Sequence, residues 1–92
     1  MPRKQSDVEA GLKTKGFRST EGDHHYFIYH TVQNLKTRVK TKTSHGTREL
    51  SDILLAQMSR QCHVRRSEFD RLIDCSLSQA GYEEILQSKS QI

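Results

Sequence analysis

The sequence holds no apolar run approaching the roughly 18 residues of a membrane-spanning helix. It opens without the basic, apolar and small-residue pattern of a secretory leader. Neither secretion nor membrane insertion is expected, and a cytoplasmic location is. Cysteine is scarce: Cys62 and Cys75 stand 13 residues apart with no C-x-x-C partner, which argues for reduced, partly buried thiols rather than a disulfide framework. There is no phosphate-binding glycine loop and no zinc-metalloprotease pattern. His24, His25, His30 and His45 are numerous but lack a recognised metal-ligand spacing, so neither a metal nor a cofactor is expected. No internal repeat or low-complexity tract is present.

What is present is a small, basic, unevenly charged chain. At 92 residues it makes one domain that buries a modest fraction of its surface, so a homodimer or a partner would help it. Apolar residues are 33% of the total, but they cluster, which argues for a folded core. Residues 1–47 carry nine Lys/Arg against four Asp/Glu; residues 48–92 carry six against seven. The basic half leans toward a polyanionic ligand, most simply nucleic acid.

That basic half is also where strands are predicted. Tyr26-Phe27-Ile28-Tyr29-His30 is aromatic and β-branched. Gln33-Asn34 is a plausible turn. In the following stretch Val39, Thr41 and Thr43 alternate with Arg38, Lys40 and Lys42. Successive strand residues face opposite sides of a sheet, so one face is half-apolar and the other is a row of three cations. His30 and Tyr29 are secondary candidates for ligand contact.

Around the strands the pattern is helical. Residues 1–5 read as a disordered basic tail. Ser6 with Glu9 three residues later forms a capping box, Val8 and Leu12 share a face, and Gly16 is placed to end the helix in a left-handed turn. Phe17-Arg18-Ser19 reads as a short first strand. Gly22 and Gly46 mark turns at either end of the two long strands. A second helix is capped by Thr47 or Ser51, with Leu50, Ile53, Leu54, Leu55 and Met58 as its apolar face. Ser67, with Asp70 at the third helical position, caps a third helix carrying Phe69, Leu72 and Ile73. A fourth runs from Ser78 to Gln87, and residues 88–92 should fray. The order gives an α+β fold: a small three-stranded antiparallel sheet packed on helices, α-β-β-β-α over residues 6–61, with a C-terminal helical extension over 62–87 belonging to the same domain.

Three landmarks occur in order: Lys15-Gly16-Phe17, then Gly22-Asp23-His24, then His45-Gly46. With them the chain resembles the HicA toxin family of bacterial and archaeal toxin–antitoxin systems. The resemblance covers about residues 6–61 and implies a fold like a double-stranded-RNA-binding domain, metal-independent cleavage of mRNA, and neutralisation by a cognate antitoxin protein. It places the catalytic histidine at His24. Asp23 stands where the family has serine, and with His25 and His45 it is an accessory candidate. Lys15, Arg18, Arg38, Lys40 and Lys42 are the candidate RNA contacts. Histidine suits this chemistry because its reference pKa of about 6.5 lets it give or take a proton near neutrality. Two other readings stay open on the residues alone: a non-catalytic RNA-binding module, and a protein-interaction or dimerisation domain.

Overall fold

The alternation in the basic half produces a sheet. In the computed structural model, which describes residues 2–20, 25–43 and 49–92, β2 (Phe17–Thr20), β3 (His25–His30) and β4 (Lys36–Thr43) form a three-stranded antiparallel sheet in that order. Phe17 pairs with Tyr29 and Arg18 with Ile28; Phe27 pairs with Thr41, Ile28 with Lys40, and Tyr26 with Lys42. Val39, Thr41 and Thr43 are buried while Arg38, Lys40 and Lys42 are exposed, as the period of two requires. The register then slips: Ile28 faces Lys40, but His30 faces Lys36. Two extra residues of β4 are taken up in this bulge. Thr37 closes it, its hydroxyl donating to the Tyr29 carbonyl at 2.8 Å and accepting from the Val39 N–H at 3.1 Å. The turn between β3 and β4 has Asn34 in the left-handed region and is tied by Asn34 N–H to Thr31 O at 2.7 Å.

The remaining elements are β1 (Arg3–Lys4), α1 (Gln5–Thr14), β5 (Glu49–Leu50), α2 (Asp52–Gln61), α3 (Arg66–Ile73) and α4 (Gln79–Ser88). The fold is α+β, with helices packed on one face of the sheet. Phe17, Phe27, Tyr29 and Val39 from the sheet meet Val8 and Leu12 of α1, Leu55 and Met58 of α2, Phe69 and Leu72 of α3, and Tyr82 and Leu86 of α4 in one buried cluster. Phe17, Tyr29 and Tyr82 form an aromatic trio with centroids 5.1 to 5.7 Å apart, the two tyrosines edge to face, a geometry favoured by the ring quadrupoles. The C-terminal helices thus complete the core rather than decorate it.

Several local expectations are corrected. Arg3 and Lys4 are not a disordered tail: they pair with Leu50 and Glu49, and Arg3 reaches Asp70 and Asp74. That pairing starts α1 at Gln5, with Lys4 as an N-cap that offers no side-chain bond. The Ser6–Glu9 capping box does not form, because Glu9 instead accepts from Thr43 Oγ1 at 2.8 Å and Gln5 Nε2 at 2.9 Å. Leu50 is buried but as a strand residue of β5, and Ile53 is 73% exposed rather than part of the apolar face of α2. Ser51 is the cap of α2, accepting from Leu54 N–H. In α3 the reciprocal bond comes from Glu68, which accepts the Arg65 N–H at 2.9 Å. Ser67 and Asp70 do not cap it, and Asp70 is drawn to Arg3 and Arg66. Ser78 caps α4 as expected.

The chain end does not fray either. Ser90 N–H donates to Gln87 O and Gln91 N–H to Leu86 O, with Ser90 at φ 57°, the pair of bonds of a Schellman ending. The same pair closes α2 through His63 and Val64, and α3 through Cys75 and Ser76.

Candidate nucleic-acid interface

The sheet face turned away from the core is where the cations gather. Arg18, Ile28 and Lys40 lie on one line across the three strands, and Tyr26 and Lys42 on the next. Arg18, Arg38, Lys40 and Lys42 are exposed, and Tyr26 and Ile28 are half-buried between them. Alternate residues along a strand stand about 6.7 Å apart, so Lys40 and Lys42 are regular neighbours on this face, and Arg38 follows in the bulged stretch. No Asp or Glu occurs in β2, β3 or β4, so the strands themselves contribute no opposing carboxylate. The Lys40 ammonium sits over the Tyr26 ring, 5.6 Å from its centroid, an attraction between cation and ring face that holds the lysine above the sheet.

At the edge where this face meets the end of α2 there is a pocket of about 250 Å³, lined by Tyr26, Lys40, Thr41, Lys42 and Gln61. Thr41 is 1% exposed, and its hydroxyl donates to Gln61 Oε1 at 2.7 Å. The pocket therefore joins an aromatic ring, two ammonium groups and a positioned carboxamide.

The sequence-based candidates do not all fall in one place. Arg18, Lys40 and Lys42 come together on the open face, whereas Arg38, also exposed, lies in the bulged part of β4 and lines a separate depression with Thr37, Glu83 and Gln87. Lys15 does not join them: it is 7% exposed, and its ammonium donates to the Leu72 carbonyl at 2.7 Å, so it belongs to the packing of α1 on α3. Gly22, Asp23, His24, His45 and Gly46 lie outside the described residues. His25 opens β3, its backbone paired with Thr43, at the same end of the sheet as Tyr26 and Lys42. Gly16, at φ 95°, makes the expected left-handed turn.

The secondary candidates are otherwise employed. Tyr29 is fully buried and donates to Glu83 Oε1 at 2.8 Å; burial and this bond raise its pKa above the usual tyrosine range. His30 is half-buried with Nδ1 3.1 Å from Ile28 O. Tyr26 and Gln61 were missed as site residues. Tyr26 is visible in the sequence as a strand aromatic two residues before Ile28, but Gln61 is brought in by the packing of α2 beside β4, which no local pattern announces.

Among the described residues no group of three or more His, Cys, Asp or Glu is arranged to hold a metal ion, and no helix is long and apolar enough to cross a membrane. The chain matches no protein-family model, no curated protein and no solved structure.

Proposed function

We propose that the open face of the β2-β3-β4 sheet binds RNA, and that the chain is a metal-independent endoribonuclease of the HicA kind, built on a fold like a double-stranded-RNA-binding domain and acting on cytoplasmic mRNA as the toxin of a toxin–antitoxin pair. The observation that carries the reading is the grouping of Lys40 and Lys42 around Tyr26, with Arg18 in register across the strands, on a sheet face that the helices leave open. Cations there neutralise backbone phosphates, which supplies affinity and register without sequence information. His24 precedes the first residue of β3 in the chain. In this reading it moves a proton during attack of a 2′-hydroxyl on the adjacent phosphate, while neighbouring cations stabilise charge on the phosphoryl oxygens. An antitoxin protein or a second copy of the chain is the corresponding partner.

The test is incubation of the purified protein with labelled RNA, with and without chelator, beside His24→Ala. Cleavage that survives chelator and is lost in the variant supports the enzyme. Equal cleavage by both proteins removes His24 from the chemistry. Salt-dependent binding without turnover leaves a non-catalytic RNA-binding module, which the cation row alone is enough to support. Binding that does not weaken with salt contradicts a phosphate-driven mode.

A further inference from the structure

We infer that the outer edge of β4 is a docking groove for an extended, acidic segment of a different protein, which adds to the sheet as a fourth strand with carboxylates at alternate positions. The inference goes beyond the RNA reading and does not rest on it. The register shows which main-chain groups the edge offers. His30 N–H donates to Gly16 O at 2.8 Å, so the main chain of His30 faces β2. Main-chain groups alternate in direction along a strand, so Tyr29 and Phe27 face β4, and the Tyr29 carbonyl does accept from Thr37 of that strand. Thr41, opposite Phe27, faces back toward β3. The N–H and C=O groups of Lys40 and Lys42 therefore point away from the sheet. β4 ends the order β2-β3-β4, and among the described residues no strand pairs with its far side. Two cavities lie along it. One, of about 250 Å³, is lined by Lys40, Thr41 and Lys42 in succession, with Gln61 of α2 opposite. The other, of about 540 Å³, is lined by Lys36, Thr37 and Arg38 in succession, with Glu83 and Gln87 of α4. Successive strand residues face opposite sides, so a cavity touched by three in a row lies at the margin of the strand rather than on either face.

The charges identify the occupant. Lys36, Arg38, Lys40 and Lys42 are exposed and hold every second position of β4. Of the residues lining the two cavities only Glu83 is acidic, and its Oε1 already accepts from the Tyr29 hydroxyl at 2.8 Å and the Val32 N–H at 2.9 Å. Like charges directly opposite one another destabilise a strand pair. Two copies of β4 paired with their faces matched set cation against cation, and a slip of one residue turns every side chain to the wrong face. Lysine on an edge guards against indiscriminate pairing; the same cations that repel a second copy admit a strand bearing carboxylates. In an antiparallel addition, the residues that exchange main-chain bonds with Lys40 and Lys42 stand directly opposite them, where Asp or Glu meets the two ammonium groups. The intervening residues continue the side of Val39, Thr41 and Thr43, which the helices cover, and are apolar. Main-chain bonds supply the affinity of such an added strand, and its alternate side chains supply the specificity.

The experiment measures binding of a fluorescein-labelled octapeptide of alternating glutamate and valine, together with amide exchange of the chain by NMR. Three control peptides accompany it: the same sequence N-methylated at its glutamates, the same composition arranged in two blocks, and alternating lysine and valine. The alternating acidic peptide is expected to bind roughly ten- to hundredfold more tightly than its N-methylated form, which keeps every charge and loses the donors, the range of two net hydrogen bonds. Amide exchange at Lys40 and Lys42 should be fast in the free chain and slow in the complex, whereas Thr41 is protected in both. In the double variant Lys40→Glu/Lys42→Glu the preference should pass to the lysine–valine peptide. Equal binding of the N-methylated or the block peptide reduces the contact to diffuse charge attraction and overturns the inference. So does binding that leaves the Lys40 and Lys42 amides unprotected, or failure of the acidic peptide to bind at low salt. Protection of the same two amides on raising the protein concentration without peptide makes a second copy the occupant, and overturns it as well.

Discussion

The ammonium of Lys15 donates to the carbonyl oxygen of Leu72 across 2.7 Å, in a position almost closed to solvent. Leu72 lies in the last turn of α3, where its carbonyl takes the Cys75 N–H as well and the helix dipole favours a cation. A lysine that follows a helix in the basic half of the chain thus fastens α1 to α3. Lys15→Met keeps the stem and removes the donor, and is expected to cost about 1–3 kcal/mol in urea unfolding. Its RNA affinity should stay near that of the wild type. Lys40→Ala should behave in the opposite way, with weaker RNA binding, a shallower salt dependence and stability within about 0.5 kcal/mol of the wild type.

Gly11 faces the same helix. A Cβ built there lies 2.9 Å from the Ile73 carbonyl oxygen and 3.0 Å from its Cα, closer than packed atoms tolerate, and the opposing atoms are backbone. Helix propensity alone makes Gly11→Ala favourable by about 1 kcal/mol. Overpacking against a backbone that cannot retreat costs about 1–3 kcal/mol, so the variant is expected to be less stable than the wild type. A raised melting temperature would show that α1 moves freely relative to α3.

What could be read in advance follows the range of the interaction that sets each feature. The alternation of Arg38, Val39, Lys40, Thr41 and Lys42 was legible because the period of a strand is local, and so were the cap at Ser78, the cap of α2 to within the choice of Thr47 or Ser51, and the left-handed Gly16. The start of α1 was not, because a two-residue pairing of Arg3–Lys4 with Glu49–Leu50 decides it, some 46 residues away. The endings of α2, α3 and α4 carry no glycine to announce them; His63, Cys75 and Ser90 take the left-handed position instead. In the site, the cation row was visible and its partner Gln61 was not. Lys15 looked identical to its exposed neighbours until α3 was folded over it. The bulge that shifts His30 onto Lys36 depends on the Thr37 hydroxyl bridging two strands, again a contact with no local signature.

The two cysteines should be chemically distinct. Cys75 is exposed and Cys62 is fully buried. In the native protein a thiol reagent is expected to label Cys75 alone, with Cys62 reacting only after denaturation. Desolvation pushes the Cys62 thiol up to about 12, with the nearby Tyr82 and Thr41 hydroxyls acting in the opposite direction. The unfolded chain therefore releases this proton at lower pH than the native one, so stability is complete below the ordinary thiol pKa and falls as pH rises toward 12. Tyr29 and Tyr82 are held neutral above the usual tyrosine range as well, but their effect begins about one pH unit higher, near 10. Melting temperatures from pH 8 to 10 should decline less steeply for Cys62→Ala than for the wild type.

The acid limb should report on the strap at the other end of the molecule. Arg3 reaches Asp70 at 3.3 Å and Asp74 at 3.2 Å, and Arg66 joins Asp70 at 3.2 Å and Asp52 at 3.1 Å. These ion pairs connect β1, α2 and α3. The hydrogen bond from Arg3 holds the Asp74 carboxyl below its ordinary range, outweighing the opposing effect of desolvation. A depressed native pKa contributes stability above the unfolded value of about 3.9, and that contribution disappears as pH falls through the lower native value. Asp74 is 54% exposed, so solvent screening keeps the effect under about 1 kcal/mol. Asp74→Asn is expected to melt slightly below the wild type at pH 7 in low salt and to converge with it as pH falls below about 4. At 1 M salt the difference at pH 7 should also shrink, because the Debye length drops to about 3 Å. A gap that persists through pH 3 and high salt would mean that Asp74 acts by shape or hydrogen bonding alone, and that the charge on Arg3 does not hold β1 to α3.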